Sequence, residues 1–183
     1  MKIIWRTAMS MDGRVAASGH DLSFLDSIDI GGEASDFPAF LASIDAIILG
    51  AGTLRWLLRE GHGWPHKDIP TWLVSRDPAL EAAIGPTEAP FRRMAGDLAP
   101  VMAEMEAEGY QRVWLAGGGD VAGQLLAIDR IDEVEATIAP QAVGGGYSLF
   151  GDRALAPKRF KIAQPPRLAG NAVIVTWVRA PGA

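Results

Sequence analysis

Val113-Trp-Leu-Ala-Gly-Gly-Gly-Asp-Val-Ala-Gly-Gln-Leu-Leu126 is the stretch that decides the fold. Val113 to Leu115 is an apolar run that reads as a buried strand. Gly117, Gly118 and Gly119 follow it. Then Val121, Leu125 and Ile128 recur at helical spacing, with Leu126 beside them. Strand, glycine turn and helix together place bare backbone N–H groups and a helix N-terminus where an anion can sit. Glycine lets the chain turn with positive φ and lets a phosphate approach without a Cβ in the way. Asp120 stands in position to cap the helix by accepting from a free N–H. On these glycines alone a plain tight turn and a phosphate site are equally good readings.

Upstream the same unit recurs. Asp45 to Leu49 reads as a buried strand, Gly50-Ala-Gly-Thr53 as its turn, and Leu54, Leu57 and Leu58 as the apolar face of the next helix. Thr53 can cap that helix and donate to a phosphate. Thr71 to Ser75 is a further strand ending in Ser75-Arg76-Asp77-Pro78. A hydroxyl and an arginine just beyond a strand end suit a phosphate monoester, or form an exposed charged turn. Lys2 to Ala8 reads as the first strand and runs into Met9-Ser-Met-Asp-Gly-Arg14. Asp12-Gly13 is a turn pair, either a simple hairpin or the start of a mobile loop covering a ligand.

The remaining segments are less regular. His20 to Gly32 carries Leu22, Phe24, Leu25, Ile28 and Ile30 as core anchors. Ser35 or Asp36 can cap a helix with Pro38 in its first turn, continuing through Phe40, Leu41 and Ile44. His62 and His66 lie four apart, but Gly63 and Pro65 between them break any helical face. We read them as solvated or substrate-adjacent loop histidines rather than metal ligands. Glu81 to Pro90 reads as a connection with a short extended piece. Leu98, Val101, Met102 and Met105 mark an amphipathic helix ending at Gly109. Ile131 to Ile138 alternates as a strand, and Phe160–Ala163 with Val173–Val178 can close the sheet as an antiparallel pair.

The totals fit one domain over residues 1–183. Hydrophobic residues make up 49% of the chain and charged residues 21%, so it folds rather than remaining disordered. The net charge of −5, with no sustained basic run, argues against a nucleic-acid surface. There is no cysteine, hence no disulfide and no catalytic thiol, which fits a cytoplasmic setting. No stretch approaches the roughly 18 apolar residues of a membrane span, and the N-terminus does not read as a signal peptide. Strand and helix alternate to about residue 130 and strands dominate afterwards. This predicts an α/β fold with a mostly parallel central sheet, an antiparallel C-terminal edge and helices on both faces. In such sheets ligands sit at the C-terminal strand ends, which is where the glycine turns, Ser75-Arg76 and the Met9–Arg14 loop all emerge.

At Met9-Ser-Met-Asp-Gly-Arg-Val-Ala16, Asp45-Ala-Ile-Ile-Leu-Gly-Ala-Gly-Thr53, Thr71-Trp-Leu-Val-Ser-Arg76, Val113-Trp-Leu-Ala-Gly-Gly-Gly119 and Ile131-Asp-Glu-Val with its following Ile138-Ala-Pro140 and Gly144-Gly-Gly, the chain resembles a known family. The family is that of the dihydrofolate-reductase-like proteins related to the reductase domain of the bacterial bifunctional riboflavin-biosynthesis deaminase-reductase. The order and spacing hold over nearly the whole chain.

The resemblance implies a dihydrofolate-reductase fold, NADPH as cofactor and a homodimer. It implies that Gly50, Ala51 and Thr53 form the first cofactor turn and that Ser75 and Arg76 meet the adenosine 2′-phosphate. Gly117, Gly118, Gly119, Asp120 and Val121 would meet the pyrophosphate and nicotinamide. The implied reaction is hydride transfer to the ribosyl carbon of a phosphoribosylaminopyrimidine such as 5-amino-6-(5-phosphoribosylamino)uracil. The alternatives are a dihydrofolate, pterin or other small-molecule reductase on this scaffold, or a non-catalytic NADPH-binding module. Met11, Phe24 and Phe37 are expected against the substrate, with Trp5 and Phe40 as further wall or core. The proton is expected from Asp12 or Asp36, since a partly desolvated carboxyl can hold a proton near neutrality. Asp36 is otherwise only a helix cap. The chain departs from the riboflavin reductases in two places. Ala116 replaces their glutamate before the central glycines, and an Asp-Asp-Pro-type loop after the first cofactor turn is missing.

Overall fold

The computed structural model describes residues 1–29 and 36–180. Its frame is a mixed sheet of nine strands: β1 (Lys2–Ser10), β3 (Ala46–Gly50), β4 (Thr71–Val74), β5 (Phe91–Met94), β6 (Arg112–Leu115), β7 (Glu133–Ala139), β9 (Phe160–Ile162), β10 (Arg167–Ala169) and β11 (Ala172–Arg179). The order is β10-β11-β7-β1-β6-β3-β4-β5, with β9 pairing on β11. The pairings of β7-β1, β1-β6, β6-β3, β3-β4 and β4-β5 are parallel, and those of β11 are all antiparallel. A separate two-stranded ribbon joins β2 (Arg14–Ala16) to β8 (Tyr147–Ser148).

Side-chain alternation in these apolar strands builds a core on each face. One core takes Ile3 and Trp5 of β1, Ile48 of β3, Trp72 of β4 and Val113 and Leu115 of β6. It is covered by α4 (Leu98–Ala107) through Val101, Met102 and Met105, and by α5 (Gly119–Ala127) through Val121, Ala122 and Leu125. The other core takes the intervening residues Ile4, Ile47, Leu49, Leu73 and Trp114. Leu54 of α2 (Ala51–Arg59) and Leu80 of α3 (Pro78–Ala82) cover it, with Phe37, Phe40 and Leu41 of α1 (Phe37–Leu41) packed alongside. The helices thus lie on both faces, as the periodicity predicts.

Several local readings are corrected. Phe160–Ile162 and the end of β11 do pair, but the hairpin turn at Gly170-Asn171 joins β10 to β11. The helix begun at Asp36 stops at Leu41, short of Ile44. Glu81 and Ala82 belong to α3, residues 83–90 are the expected connection, and the extended piece is β5, which starts just after Pro90. Asp77 caps α3 by accepting from the Ala79 N–H at 3.0 Å. Part of the Met9–Gly19 segment is ordered as β2.

Gly123 shows how tightly α5 is seated. A Cβ there would collide with the Phe150 carbonyl oxygen, a backbone atom that cannot rotate aside. Gly123→Ala is therefore expected to cost about 1–3 kcal/mol. Gly145→Ala, where a Cβ meets nothing within 4 Å, is expected to stay within about 0.5 kcal/mol of the parent. Denaturant midpoints of the two variants check this; equal stability would contradict the packing described.

Candidate active site

The C-terminal ends of β1, β3, β4 and β6 open into a cleft of about 990 Å³. Two strand-to-helix turns form its floor. At the first, Gly50 ends β3 and is the N-cap of α2; at the second, Gly118 is the N-cap of α5. Neither helix start has a side-chain cap among the described residues. Their first N–H groups therefore have no intrahelical acceptor, and the partial positive ends of both helices face one space. Gly117 and Gly118 adopt φ +118° and +98°. A Cβ on Gly50 would come within 2.9 Å of the Gly117 carbonyl oxygen, and one on Gly117 within 2.8 Å of Thr53 Oγ1.

All ten residues read as cofactor-binding line this cleft: Gly50, Ala51, Thr53, Ser75, Arg76, Gly117, Gly118, Gly119, Asp120 and Val121. Their local roles differ from those expected. Thr53 does not cap α2 but sits in its first turn, its hydroxyl against Gly117. Asp120 does not cap α5, because the positive φ of Gly118 places the N-cap two residues earlier. Its exposed carboxylate accepts from Gln124 Nε2 at 2.9 Å. Ser75 Oγ is buried and accepts from the Asp77 N–H at 3.0 Å, so it builds the turn that presents Arg76. The Arg93 guanidinium braces that turn by donating to the Ser75 carbonyl at 3.1 Å. Arg76 itself makes no ion pair among the described residues. Neighbouring Arg55 is engaged by Asp77 at 3.1 Å, which holds the Asp77 carboxyl below the usual range.

The two proposed proton donors lie elsewhere. Asp12 is held by Ser10 Oγ at 2.6 Å and by the N–H groups of Val143 and Gly144 at 3.1 and 2.9 Å. The Ser10 hydrogen bond first, then the backbone donors, lower its carboxyl to about 2. Asp36 makes no side-chain cap of α1; it pairs with Arg6 of β1, whose hydrogen bond lowers its carboxyl as well. Neither group lines the cleft, and a carboxyl depressed in this way is an anion at neutral pH with no proton to give. That removes the physical reason for reading either as the acid.

The expected substrate wall is also displaced. Phe24 is buried core at 2% exposure, and Trp5 is wholly buried against Phe150. Phe37 stacks with Phe40 and meets Trp114 edge-on. Met11 is 66% exposed at the Asp12-Gly13 turn. His66 lies in its loop but is not solvated: it packs among Trp64, Phe37 and Trp114, and burial lowers its pKa. No group of three or more His, Cys, Asp or Glu among the described residues is placed to hold a metal.

The cleft is instead lined by Val15, His20, Leu22, Leu25, Trp56 and Tyr147, with Arg55 and Arg153 at its polar side. Trp56 was legible, since it falls four residues after Gly52 on one helical face. His20 and Tyr147 were not, because they meet only through the β2-β8 ribbon.

The RibD C-terminal domain family matches residues 1–170. The chain belongs to that family. Over 180 residues it is 25% identical to the uncharacterized protein YwjB of Bacillus subtilis, covering 98% of each chain. A putative riboflavin biosynthesis protein from Shewanella sp. PV-4 is 25% identical, with a TM-score of 0.80 over 98% of this chain and 99% of that one. Dihydrofolate reductase from Enterococcus faecalis, 14% identical, shares the fold at a TM-score of 0.63 over 97% and 96% of the two chains. The fold is therefore dihydrofolate-reductase-like, and the family is reductase-related.

Asp12 gives a test of the loop geometry. Its carboxyl is depressed in the folded state, so the ionised form stabilises the fold above the ordinary carboxylate pKa of about 4. That contribution is lost as the pH falls through about 2. Asp12→Ala is expected to melt below the parent at pH 7, with the gap closing between about pH 4 and pH 2. A gap that is constant with pH in melting curves would contradict the arrangement.

Proposed function

We propose that the chain is an NADPH-dependent reductase that delivers hydride to an electrophilic carbon of a small phosphorylated substrate. The first substrate we propose is 5-amino-6-(5-phosphoribosylamino)uracil, reduced at its ribosyl carbon. The observation that carries this reading is the convergence of ten residues, from three separate strand ends, on one cleft. The cleft suits the cofactor on physical grounds. Gly50 and Gly117 leave their turns without side chains where a Cβ would intrude, and two uncapped helix starts offer N–H donors to a diphosphate.

In this reading the first-turn N–H groups of α2 and α5 hold the diphosphate. Arg76, presented by the braced Ser75 turn, pairs with the 2′-phosphate and favours NADPH over NADH. Ala8 and Ala116, at neighbouring strand ends, leave room for a flat ring. Val15, Leu22, Leu25 and Trp56 exclude water from the reacting carbon. A bound reduced nicotinamide supplies the hydride; the protein's part is alignment and exclusion of solvent. The departures at Ala116 and after the first cofactor turn fall on the substrate side, so another phosphorylated pyrimidine or a pterin is the second substrate class. A homodimer, as the family resemblance implies, belongs to the same reading.

Two measurements test the reading. Arg76→Ala is expected to weaken NADPH by roughly 1.5–3 kcal/mol, the range for a charged hydrogen bond, while NADH changes little; equal losses would remove Arg76 from the 2′-phosphate. Oxidation of NADPH in the presence of the pyrimidine should exceed the enzyme-free control. Binding without turnover on pyrimidine or pterin substrates would leave only a non-catalytic NADPH-binding module.

A further inference from the structure

His20 is one of two non-glycine residues among those described with positive φ, at +60°. It follows Gly19 at φ +74° in a turn closed by the Ala17 N–H donating to the Asp21 carbonyl at 2.8 Å. An L-residue held in the left-handed region is strained and persists only where its surroundings fix it. Here the surroundings are plain. The imidazole stacks on Tyr147, with ring centroids 4.0 Å apart and planes 15° from parallel. Tyr147 belongs to β8, whose ribbon with β2 is tightly seated: a Cβ on Gly146 would collide with the Ala16 carbonyl oxygen. On its other side His20 Cε1 lies 3.7 Å from where a Cβ on Gly52 would stand. The ring, in the turn that follows β2, thus rests on the ribbon's Tyr147 and is set against the first turn of α2.

From this placement, and resting on the cofactor reading above, we propose that His20 is a further cofactor-binding residue, an imidazole clamp that closes over the diphosphate at the start of α2 and makes nucleotide affinity depend on pH. An anion held by the first-turn N–H groups of α2 lies within reach of a ring packed on Gly52. Imidazole is the side chain that gains its positive charge between about pH 8 and pH 5. A protonated ring adds a charged donor to the neutral helix donors.

The charged groups around it do not take over this role. Asp21, beside it in the chain, is occupied by the Ser23 N–H and hydroxyl, both at 2.9 Å, and feels Arg59. Arg55 on α2 pairs with Asp77. Asp120 on α5 pairs with Arg153 at 4.0 Å. Tyr147 is the stacking partner. No carboxylate among the described residues hydrogen-bonds the imidazole, so the ring is left for a ligand.

The test is the dissociation constant for NADPH, measured by calorimetry from pH 5.5 to 8.5 on the full chain and on two variants. His20→Asn is the first, because asparagine accepts the left-handed conformation with little strain. The ratio of its Kd to that of the parent cancels the titration of the ligand's own phosphates. The ratio is expected to be about tenfold at pH 5.5, as for loss of a charged hydrogen bond, and to fall towards unity at pH 8.5. Tyr147→Ala should weaken NADPH with the same pH trend as His20→Asn. Tight binding with a His20→Asn ratio that does not change with pH would overturn the clamp while leaving the cofactor reading standing. Failure of the parent to bind NADPH at any pH would overturn both.

Discussion

Gly50 and Gly117 meet backbone to backbone where neighbouring strands β3 and β6 hand over to α2 and α5. A Cβ on Gly50 would stand 2.9 Å from the Gly117 carbonyl oxygen, and one on Gly117 2.8 Å from the Thr53 hydroxyl. Val121, the next buried residue of α5, closes the gap from the other side, with its Cγ2 3.2 Å from the Gly50 Cβ position. This approach fixes much else. It brings the starts of two helices on opposite faces of the sheet to one opening. It also keeps β3 and β6 in a parallel register in which the Ala116 N–H reaches the Ile48 carbonyl at 2.9 Å. Steric packing alone accounts for these glycines, and the space they leave is the floor of the cleft.

The sheet and its turns were readable because their signals are local. Val113–Leu115 and Ala46–Leu49 are continuous apolar runs, and glycine clusters mark where they end. The two-face core follows from strand alternation, which sends Ile3 and Trp5 to one side and Ile4 to the other. The edge was harder to read. β5 has Arg92 and Arg93 in its centre, a pattern that argues against a strand in isolation. The explanation lies in tertiary partners: Arg92 pairs with Glu104 and Glu108 and lies over the Trp72 ring, while Arg93 braces Ser75.

The acid–base reading of the site missed for the same reason. Asp12 is 131 residues from the Val143 N–H that it accepts, and Asp36 is 30 from Arg6. Nothing near either aspartate in sequence announces those distant partners, so Asp12 and Asp36 read as proton donors, or Asp36 as a helix cap, when they are anchors. Ser10, which ties Asp12 and the Arg14 N–H into one turn, is wholly buried and works in the same way. The cleft's own imidazole went unrecognised because it depends on a strained φ and on a strand pair formed by residues 14–16 and 147–148. The glycine-turn half of the cleft is thus written in local sequence signals, whereas its opposite wall is written in long-range contacts.

The central claim is that this cleft holds NADPH, and the most direct measurement is a thermal-shift titration of the unmodified chain with NADPH and NADH in parallel. Ligand at a hundredfold excess over Kd adds about 2.7 kcal/mol, which for a chain of this size is a rise of about 5–10 °C. The account predicts that rise with NADPH and a smaller one with NADH at the same concentration. No shift with either nucleotide would contradict the claim that the two glycine turns form a cofactor site, and equal shifts would contradict the assignment of Arg76 to the 2′-phosphate.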